Sequence, residues 1–274
     1  MSNTATPMLP PVTLVRAGER QLAVREWGSG EPLLLIHGLG MSSGLWKYQV
    51  EDFSPRYRMI APDIRGFGAS DRPTEPGSYA LGQYVADMSA LADALGVRRL
   101  HCLGTSMGGV IAQALALARP DLCRSLILVN TSARVRIPPD VLKSRVRALE
   151  DMSMADYGKL VSVQALAEGA SDELKTWISG DIALNDRRAY TQVLTEGLST
   201  FDTSADVASI AAPTLVIVGT EDRVIPPEQG EDLALRIPGA RLEKIPGTGH
   251  ICYSERPDVF NKLVLDFLAA QRGN

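Results

Sequence analysis

The sequence predicts an α/β protein in which a mostly parallel sheet lies between layers of helices. Two observations indicate this class. Eight short runs of aliphatic and β-branched residues recur along the chain, and helical patterns separate most of them. Four of these runs are nearly all apolar and are bounded by Gly, Pro or Asp, which is typical of strands covered by helices on both faces.

The strands are expected in a simple order along the chain. We place them at residues 12–16, 21–27, 33–36, 57–61, 100–103, 125–129, 214–218 and 241–245. The first two are joined by Ala17-Gly18-Glu19-Arg20 and should form a hairpin at the N-terminal end of the sheet.

Three helical patterns separate or follow the strands. Residues 79–95 carry apolar side chains at the 3- and 4-residue spacing of one buried face, and the pattern stops at Gly96. Residues 110–118 are apolar on all sides, as expected for a helix buried under a sheet. Residues 257–270 should form a final amphipathic helix.

The alternation of strands and helices is interrupted once. Between Asn130 and about Thr203 no strand run occurs, and helical stretches follow one another at 140–150, 154–167, 172–179 and 187–199. We therefore predict a helical lid at 131–203, inserted after the sixth strand of one core domain that comprises 12–130 and 204–274. Residues 1–11 have neither the positive start nor the apolar stretch of a signal peptide, and we expect a short disordered lead.

Composition and charge exclude several classes of protein. The chain has 274 residues and a formal net charge of −4, and its 28 basic residues are dispersed, which argues against a nucleic-acid surface. The three cysteines fit no zinc motif and are too few for a disulfide framework, so we expect reduced thiols in a cytoplasmic protein. No apolar stretch reaches the ~18 residues of a membrane span. The three histidines, with no His-x-x-x-His pair, also argue against a metal site, and we expect no cofactor.

A Gly-x-Ser-x-Gly motif occurs twice, at residues 40–44 and 104–108. The second copy directly follows a predicted strand and directly precedes a predicted helix, which is the context of a nucleophile elbow. Small residues on both sides let the backbone turn sharply, so that Ser106 would lie exposed at the top of the sheet. The first copy is separated from its strand by four residues, and we expect no nucleophile there.

A serine nucleophile needs a general base, and the base needs an acid that fixes its tautomer. His250 lies in a glycine-rich loop between the last strand and the last helix. Asp222 follows the strand at 214–218, and the carboxyl ends of such strands are where α/β sheets bind ligands. The order Ser106, Asp222, His250 is the order expected for this architecture.

The other two histidines, His37 and His101, are expected to have structural roles. His101 lies two positions before Gly104 within a strand and should be a core residue beneath the elbow. His37 follows a buried strand and begins a loop punctuated by glycines, where a backbone N–H can approach a reacting oxygen. We predict that the N–H groups of Leu39 and Met107 form a two-donor oxyanion hole.

Together these motifs resemble the α/β-hydrolases that carry a small helical lid. Asp63-Ile64-Arg65-Gly66-Phe67-Gly68-Ala69-Ser70 and Gly219-Thr220-Glu221-Asp222 add to the resemblance, which spans nearly the whole chain. The resemblance implies an eight-stranded, mostly parallel sheet and a Ser-His-Asp triad. Residues 106–113 and 130–134 are most similar to the 3-oxoadipate enol-lactonase and carboxylesterase-like branch, which implies a small-molecule ester or lactone as substrate.

Two departures from related patterns bear on the reaction. The enol-lactonase branch commonly starts its oxyanion loop with Asn-Ser, where this chain has Ile36-His37-Gly38. The carbon–carbon bond hydrolases of aromatic degradation usually show Gly-Pro-Gly in this loop and Asn before the nucleophile, where this chain has Leu39-Gly40-Met41 and Thr105. Carbon–carbon bond hydrolysis, cofactor-free perhydrolysis on the same triad, and a low-turnover ligand sensor stay open as alternatives.

The predicted lid should roof a mostly apolar pocket with few polar anchors. We expect Trp46 and Trp177 among its wall residues. If the substrate carries a carboxylate, Arg134 at the start of the lid is the expected anchor, because a guanidinium can hold a carboxylate through two hydrogen bonds. The sequence indicates no oligomeric state.

Overall fold

A computed structural model describes residues 9–271 of the chain. Its strands are β1 (Thr13–Ala17), β2 (Arg20–Trp27), β3 (Glu31–Ile36), β4 (Tyr57–Pro62), β5 (Leu100–Thr105), β6 (Cys123–Val129), β7 (Thr214–Gly219) and β8 (Arg241–Ile245). They form one sheet in the order β1-β2-β4-β3-β5-β6-β7-β8. β2 pairs antiparallel with β1 and β4, and all other neighbours in this sheet are parallel. The predicted eight-stranded, mostly parallel sheet is confirmed.

The helices of the described residues cover this sheet. They are α1 (Val50–Phe53), α2 (Leu81–Ala94), α3 (Met107–Ala118), α4 (Pro139–Asp151), α5 (Met154–Ala165), α6 (Asp172–Ala183), α7 (Arg187–Gln192), α8 (Pro227–Arg236), α9 (Cys252–Glu255) and α10 (Pro257–Ala270). α3 packs on β5 and β6, and α8 packs on β7. Every residue of β5 and β7 is buried, as their apolar sequences require.

Outside the chain between β6 and β7, two helices begin at residues other than those predicted. α2 starts at Leu81 rather than residue 79, and it buries Tyr84, Met88 and Leu91 on the face that its periodicity predicts. α3 starts at Met107, three residues before the apolar run, because the helix follows Ser106 without any connecting loop. The sharp turn at Ser106 and the first turn of α3 therefore form one rigid unit.

The chain between β6 and β7 is helical, and we call α4 to α7 the inserted helices. α5 and α6 pack closely against each other, which Gly158 permits, since a Cβ there would lie 2.5 Å from the Ser179 carbonyl oxygen. The helix predicted at 187–199 is regular only to Gln192 and continues as the π-helical turn Val193–Gly197 and the 3₁₀ turn Leu198–Thr200.

Buried and partly buried polar contacts fasten the inserted helices to the loop after β3. Asp181 accepts hydrogen bonds from the Ser42 backbone N–H at 2.8 Å and from its hydroxyl at 2.7 Å. The Asn185 amide donates to the Gly40 carbonyl oxygen at 2.6 Å. Burial raises the pKa of the Asp181 carboxyl, although the bonds from Ser42 oppose this shift.

The predicted N-terminal lead lies largely outside the described residues, which begin at residue 9. Within the described part, the Pro10 carbonyl accepts a hydrogen bond from Arg25 Nε at 3.0 Å, so this end of the segment contacts the sheet. No helix in residues 9–271 combines the length and apolar character needed to cross a membrane. Cys102, Cys123 and Cys252 are buried and free, and burial raises the pKa of the Cys123 thiol to about 12.

Candidate active site

Ser106 occupies a strained turn between β5 and α3. Its backbone has φ 54° and ψ −122°, a conformation that L-residues rarely adopt. The flanking glycines are required by close backbone packing: a Cβ on Gly104 would lie 2.2 Å from the Gly108 carbonyl oxygen, and one on Gly108 would lie 2.3 Å from the Ile36 carbonyl oxygen. Strain of this kind costs about 1–3 kcal/mol and is concentrated at functional sites, which makes Ser106 a candidate reactive group.

Two further contacts hold the Ser106 backbone in place. Its N–H donates to the Val129 carbonyl at 2.9 Å, and its own carbonyl accepts from the Thr131 hydroxyl at 2.7 Å. The turn is therefore tied to the carboxyl end of β6 as well as to β5 and α3.

His250 and Asp222 form a hydrogen-bonded pair beside this turn. His250 Nδ1 lies 2.7 Å from Asp222 Oδ2, and the two side chains are 12% and 1% exposed. Asp222 Oδ1 accepts from the backbone N–H groups of Val224 at 2.8 Å and Ile225 at 2.9 Å. A carboxylate oxygen is the acceptor in this contact, so the ring proton of His250 is assigned to Nδ1. The other ring nitrogen, Nε2, can then accept a proton from a neighbouring group.

Ser106 and His250 line the same cavity, so the structure brings together the three residues that the sequence predicts as a triad. Among residues 9–271, no hydrogen bond from Ser106 Oγ to the His250 ring is recorded. Contacts between a catalytic serine and its base are often long and shorten only when substrate binds.

Asn130 is a site residue whose role the sequence does not reveal. It directly follows β6 with φ 45°, and its Oδ1 accepts from the Gly219 N–H at 2.7 Å. Its Nδ2 donates to the carbonyls of Gly249 at 3.1 Å and His250 at 2.8 Å. One amide therefore joins the ends of β6 and β7 to the loop that carries His250.

Glu255 is a second such residue, and it joins that loop to the inserted helices. Its Oε1 accepts from the Gly249 N–H and its Oε2 from the Ala167 N–H, both at 2.9 Å. The His250 N–H donates to the Ala165 carbonyl at 2.7 Å. Burial raises the pKa of the Glu255 carboxyl, while these N–H donors lower it.

The loop after β3 is held by His37. Its Nε2 accepts from the Ile64 N–H at 2.9 Å, and its Nδ1 lies 2.8 Å from the Gly38 carbonyl oxygen. Burial lowers the pKa of His37, which favours the neutral ring that this pair of contacts requires. His101 is likewise buried, with Nδ1 2.7 Å from the Ser125 hydroxyl, in the core position that the sequence predicts.

Leu39 and Met107 border the cavity beside Ser106. Met107 is the first residue of α3, where a backbone N–H has no acceptor within the helix. Gly38, in the loop after β3, packs against the turn at Ser106. A Cβ on Gly38 would come within 3.2 Å of Ser106 Cβ. The two backbone N–H groups that the sequence predicts as an oxyanion hole thus belong to residues on the same cavity as the serine.

The cavity has a volume of about 330 Å³, within the range of small-molecule sites. The inserted helices, the segment leading into them and the 3₁₀ turn that follows contribute most of its apolar wall, including Val135, Ile137, Val141, Val161, Ile178, Ile182 and Leu198. Among residues 9–271, no group of three or more His, Cys, Asp or Glu side chains is arranged to hold a metal ion.

The two tryptophans expected in the cavity wall lie elsewhere. Trp46 is fully buried and stacks at 5.3 Å on Tyr253, which itself lines the cavity, so Trp46 forms a layer behind the wall. Trp177 packs under Lys47 Nζ at 3.8 Å on another face of α6. Ile178 and Ile182, four residues apart on the same helix, face the cavity instead.

Arg134 borders the cavity, as expected for a substrate anchor, but it is not free. Its Nε lies 3.0 Å from Asp202 Oδ2, and the backbones of the two residues form an isolated antiparallel bridge. This ion pair engages one nitrogen of the guanidinium that the sequence offers as a carboxylate anchor.

Comparison with known proteins defines the class of the chain. The model of the alpha/beta hydrolase fold family matches residues 31–257, and the chain belongs to this family. A RutD protein of Azorhizobium caulinodans, named as a candidate carbamate hydrolase, is 31% identical over 261 residues, 91% of this chain and 96% of that protein. The 2-hydroxy-6-oxo-6-phenylhexa-2,4-dienoate hydrolase of Burkholderia cepacia is 30% identical over 262 residues, 91% of each protein.

A solved structure gives the same result. The enol-lactonase from Burkholderia xenovorans LB400 matches with a TM-score of 0.86 and 30% identity, over 94% of this chain and 100% of that one. The predicted resemblance to α/β-hydrolases with enol-lactonase relatives is confirmed. The names of these relatives refer to different bonds, and hydrolysis is what they have in common.

Proposed function

We propose that the chain hydrolyses carboxylic esters or lactones through Ser106, His250 and Asp222. The observation that carries this proposal is the 2.7 Å contact between His250 Nδ1 and Asp222, made on the cavity that the strained Ser106 also lines. A base with a fixed tautomer beside a serine that lines the same cavity is the arrangement that nucleophilic acyl transfer needs.

In the first half of the proposed reaction, His250 Nε2 removes the proton of the Ser106 hydroxyl while Oγ attacks the carbonyl carbon. The N–H groups of Leu39 and Met107 donate to the resulting oxyanion. His250 then returns the proton to the leaving oxygen, and an acyl-enzyme on Ser106 forms. A lactone follows the same route, except that its leaving oxygen stays attached to the acyl group.

In the second half, His250 removes a proton from water, and the hydroxide oxygen attacks the acyl carbon. The collapse of this intermediate returns the proton to Ser106 Oγ and releases the carboxylic acid. Asp222 stays ionised and stabilises the imidazolium in both halves. Asn130 and Glu255 act as positioning residues, because they hold the loop of His250 from two sides.

Ester or lactone hydrolysis is favoured over carbon–carbon bond hydrolysis by the residues around the serine. Thr105 stands before the nucleophile, and Leu39-Gly40-Met41 forms the oxyanion loop, in contrast to the Asn and Gly-Pro-Gly typical of carbon–carbon bond hydrolases. The enol-lactonase and the dienoate hydrolase of Burkholderia cepacia are both 30% identical to this chain, so the choice between the two bonds rests on these residues.

The nucleophile is tested by labelling with a fluorophosphonate followed by peptide mass spectrometry. We expect one adduct, on Ser106, and no labelling of Ser106→Ala. Ser209→Ala is the control, because Ser209 is exposed and does not line the cavity, and this variant should leave labelling unchanged. An adduct on any other serine contradicts the proposal.

The bond is tested on the same preparation with a panel of substrates. Aryl esters and γ- and δ-lactones are compared with an aryl carbamate, a vinylogous diketone, and acetate with hydrogen peroxide. We expect kcat/KM for an ester or lactone to exceed the others by at least about tenfold, a difference of ~1.4 kcal/mol in transition-state stabilisation. Preference for the diketone or carbamate, peracid formation as the main activity, or binding without turnover would each assign a different function.

A further inference from the structure

The loop that carries Leu39 contains a tight turn, and the position of this turn decides where the Leu39 N–H points. The Met41 N–H donates to the Gly38 carbonyl at 3.3 Å, which closes a turn with Leu39 and Gly40 at its centre. Gly40 has φ 78°, the positive value that the third position of a type II turn requires. The Leu39 N–H takes no part in the bond that closes the turn, so its direction depends on how the turn as a whole is held.

The C-terminal end of α6 holds this turn through two polar side chains. The Asn185 amide donates to the Gly40 carbonyl at 2.6 Å, and it is itself held by the Ile182 carbonyl at 3.0 Å. The Asp181 carboxylate accepts from the backbone N–H of Ser42 at 2.8 Å and from its hydroxyl at 2.7 Å. The second half of the turn and the residue after it are therefore fixed to one helix end.

Two other contacts enclose the turn from opposite sides. The ring of Tyr190, on α7, packs so closely on Gly40 that a Cβ there would lie 2.7 Å from Tyr190 Cε2. On the core side, His37 Nδ1 lies 2.8 Å from the Gly38 carbonyl oxygen. The turn thus has support from the core at Gly38 and from the inserted helices at Gly40 and Ser42.

The part of α6 that reaches the turn also forms part of the cavity wall. Ile178 and Ile182 line the cavity, and Asp181 lies three residues after the first of them. Side chains three and four residues apart are neighbours on a helix surface. A displacement of this helix end would therefore move the cavity wall and the turn together.

We propose that Asp181 and Asn185 are positioning residues for the oxyanion hole, so that the inserted helices belong to the catalytic machinery and do not only cover the cavity. This inference rests on the proposed function, in which the Leu39 N–H donates to the oxyanion. Such a donor acts only at hydrogen-bonding distance from the oxygen that becomes charged, and removing one donor lowers kcat by ~10²–10³-fold. Releasing the turn should cause part of that loss and leave the apolar contacts of the substrate unchanged.

The experiment measures kcat and KM separately in Asn185→Ala and Asp181→Ala, with the panel substrate that wild type hydrolyses fastest. We expect each variant to lower kcat by about 10- to 100-fold, because a misplacement of about 1 Å can cost 10²-fold. KM should change by less than about threefold, since the apolar wall is kept. Asp181→Asn should recover most of kcat, because its amide oxygen can accept from the Ser42 N–H while its NH₂ group donates to the Ser42 hydroxyl.

Ser171→Ala is the matched control for damage to α6. The Ser171 hydroxyl accepts from the Leu174 N–H at 3.2 Å and caps the opposite end of the same helix. Ser171 does not line the cavity. This variant should lower the thermal midpoint, as loss of a helix cap does, and keep kcat within about twofold of wild type. A kcat loss in Ser171→Ala equal to that in Asn185→Ala would assign both losses to helix stability and overturn the positioning role.

Hydrogen–deuterium exchange, measured on the same variants, reports the turn itself. Peptides that span residues 38–42 should exchange faster in Asn185→Ala and Asp181→Ala than in wild type and Ser171→Ala. Unchanged exchange in this segment, or unchanged kcat in both variants of an active enzyme, overturns the positioning role and leaves the proposed function standing. Wild type that neither hydrolyses any panel substrate nor reacts with the fluorophosphonate overturns the proposed function, and the positioning role with it.

Discussion

Replacing Asp222 by Asn should reverse the tautomer of His250 without unfolding the site. Asp222 Oδ1 accepts from two backbone N–H groups, Val224 and Ile225. The oxygen of an asparagine would keep these two bonds, so its NH₂ group would face His250 Nδ1. A donor at that position requires Nδ1 to be the acceptor and Nε2 to carry the proton, and Nε2 is the atom that must accept from Ser106.

The size of the effect follows from this tautomer. In a serine protease triad the wrong tautomer lowers kcat by about 10⁴-fold, which corresponds to ~5.4 kcal/mol at about 1.36 kcal/mol per tenfold. We expect a loss of the same order here. The thermal midpoint should change little, because the two backbone bonds to residue 222 persist.

The assay is hydrolysis of a 4-nitrophenyl ester, with thermal unfolding measured on the same samples. Glu221→Gln is the matched control, since Glu221 is the exposed neighbour of Asp222 and has no side-chain partner recorded in the described residues. Its rate should equal that of wild type. Retention of more than about a tenth of the activity in Asp222→Asn would refute the assigned role.

Three further predictions concern stability. Asn130→Ala removes three buried hydrogen bonds and places alanine at φ 45°, and should lower the free energy of unfolding by about 3 kcal/mol in urea titrations. Gly104→Ala should prevent soluble expression or lower the free energy of unfolding by more than ~3 kcal/mol, because the new Cβ would meet the Gly108 carbonyl oxygen. Gly180→Ala, on an open face of α6, should instead raise the free energy of unfolding by about 0.5–1 kcal/mol. The lowered pKa of His37 means that the unfolded chain binds its proton more readily, so stability should fall as pH drops below about 6.5, by at most ~1.4 kcal/mol per pH unit. In His37→Gln the free energy of unfolding should change less with pH between pH 7 and 5. An unchanged slope would mean that other groups cause the pH dependence of stability.

The sheet and the elbow were predictable because their signals are local. A short apolar run indicates a buried strand, and Gly104-Thr105-Ser106-Met107-Gly108 lies directly between such a run and a helix. The order of Ser106, Asp222 and His250 adds a second local signal, since each follows a strand pattern.

The supports of the site were not predictable, because their partners are distant in sequence. Asn130 bonds to residues 89 to 120 positions away, and Glu255 reaches Ala167 over 88 positions. Nothing in the composition of these segments indicates which strand ends meet. The same reason explains Trp177. Its neighbour Ile178 faces the cavity, and one step of about 100° along α6 places Trp177 outside the cavity, against Lys47.

The hydrogen bonds at the end of α5 determine how the cavity can open. His250 N–H, Glu255 and Arg223 together make four hydrogen bonds to the backbone of residues 163–167. At about 1 kcal/mol each, separating this end costs ~4 kcal/mol, and only about one molecule in a thousand would be open there at any moment. The end of α5 and the histidine loop therefore stay joined in almost all molecules, and any opening of the cavity has to leave this contact in place.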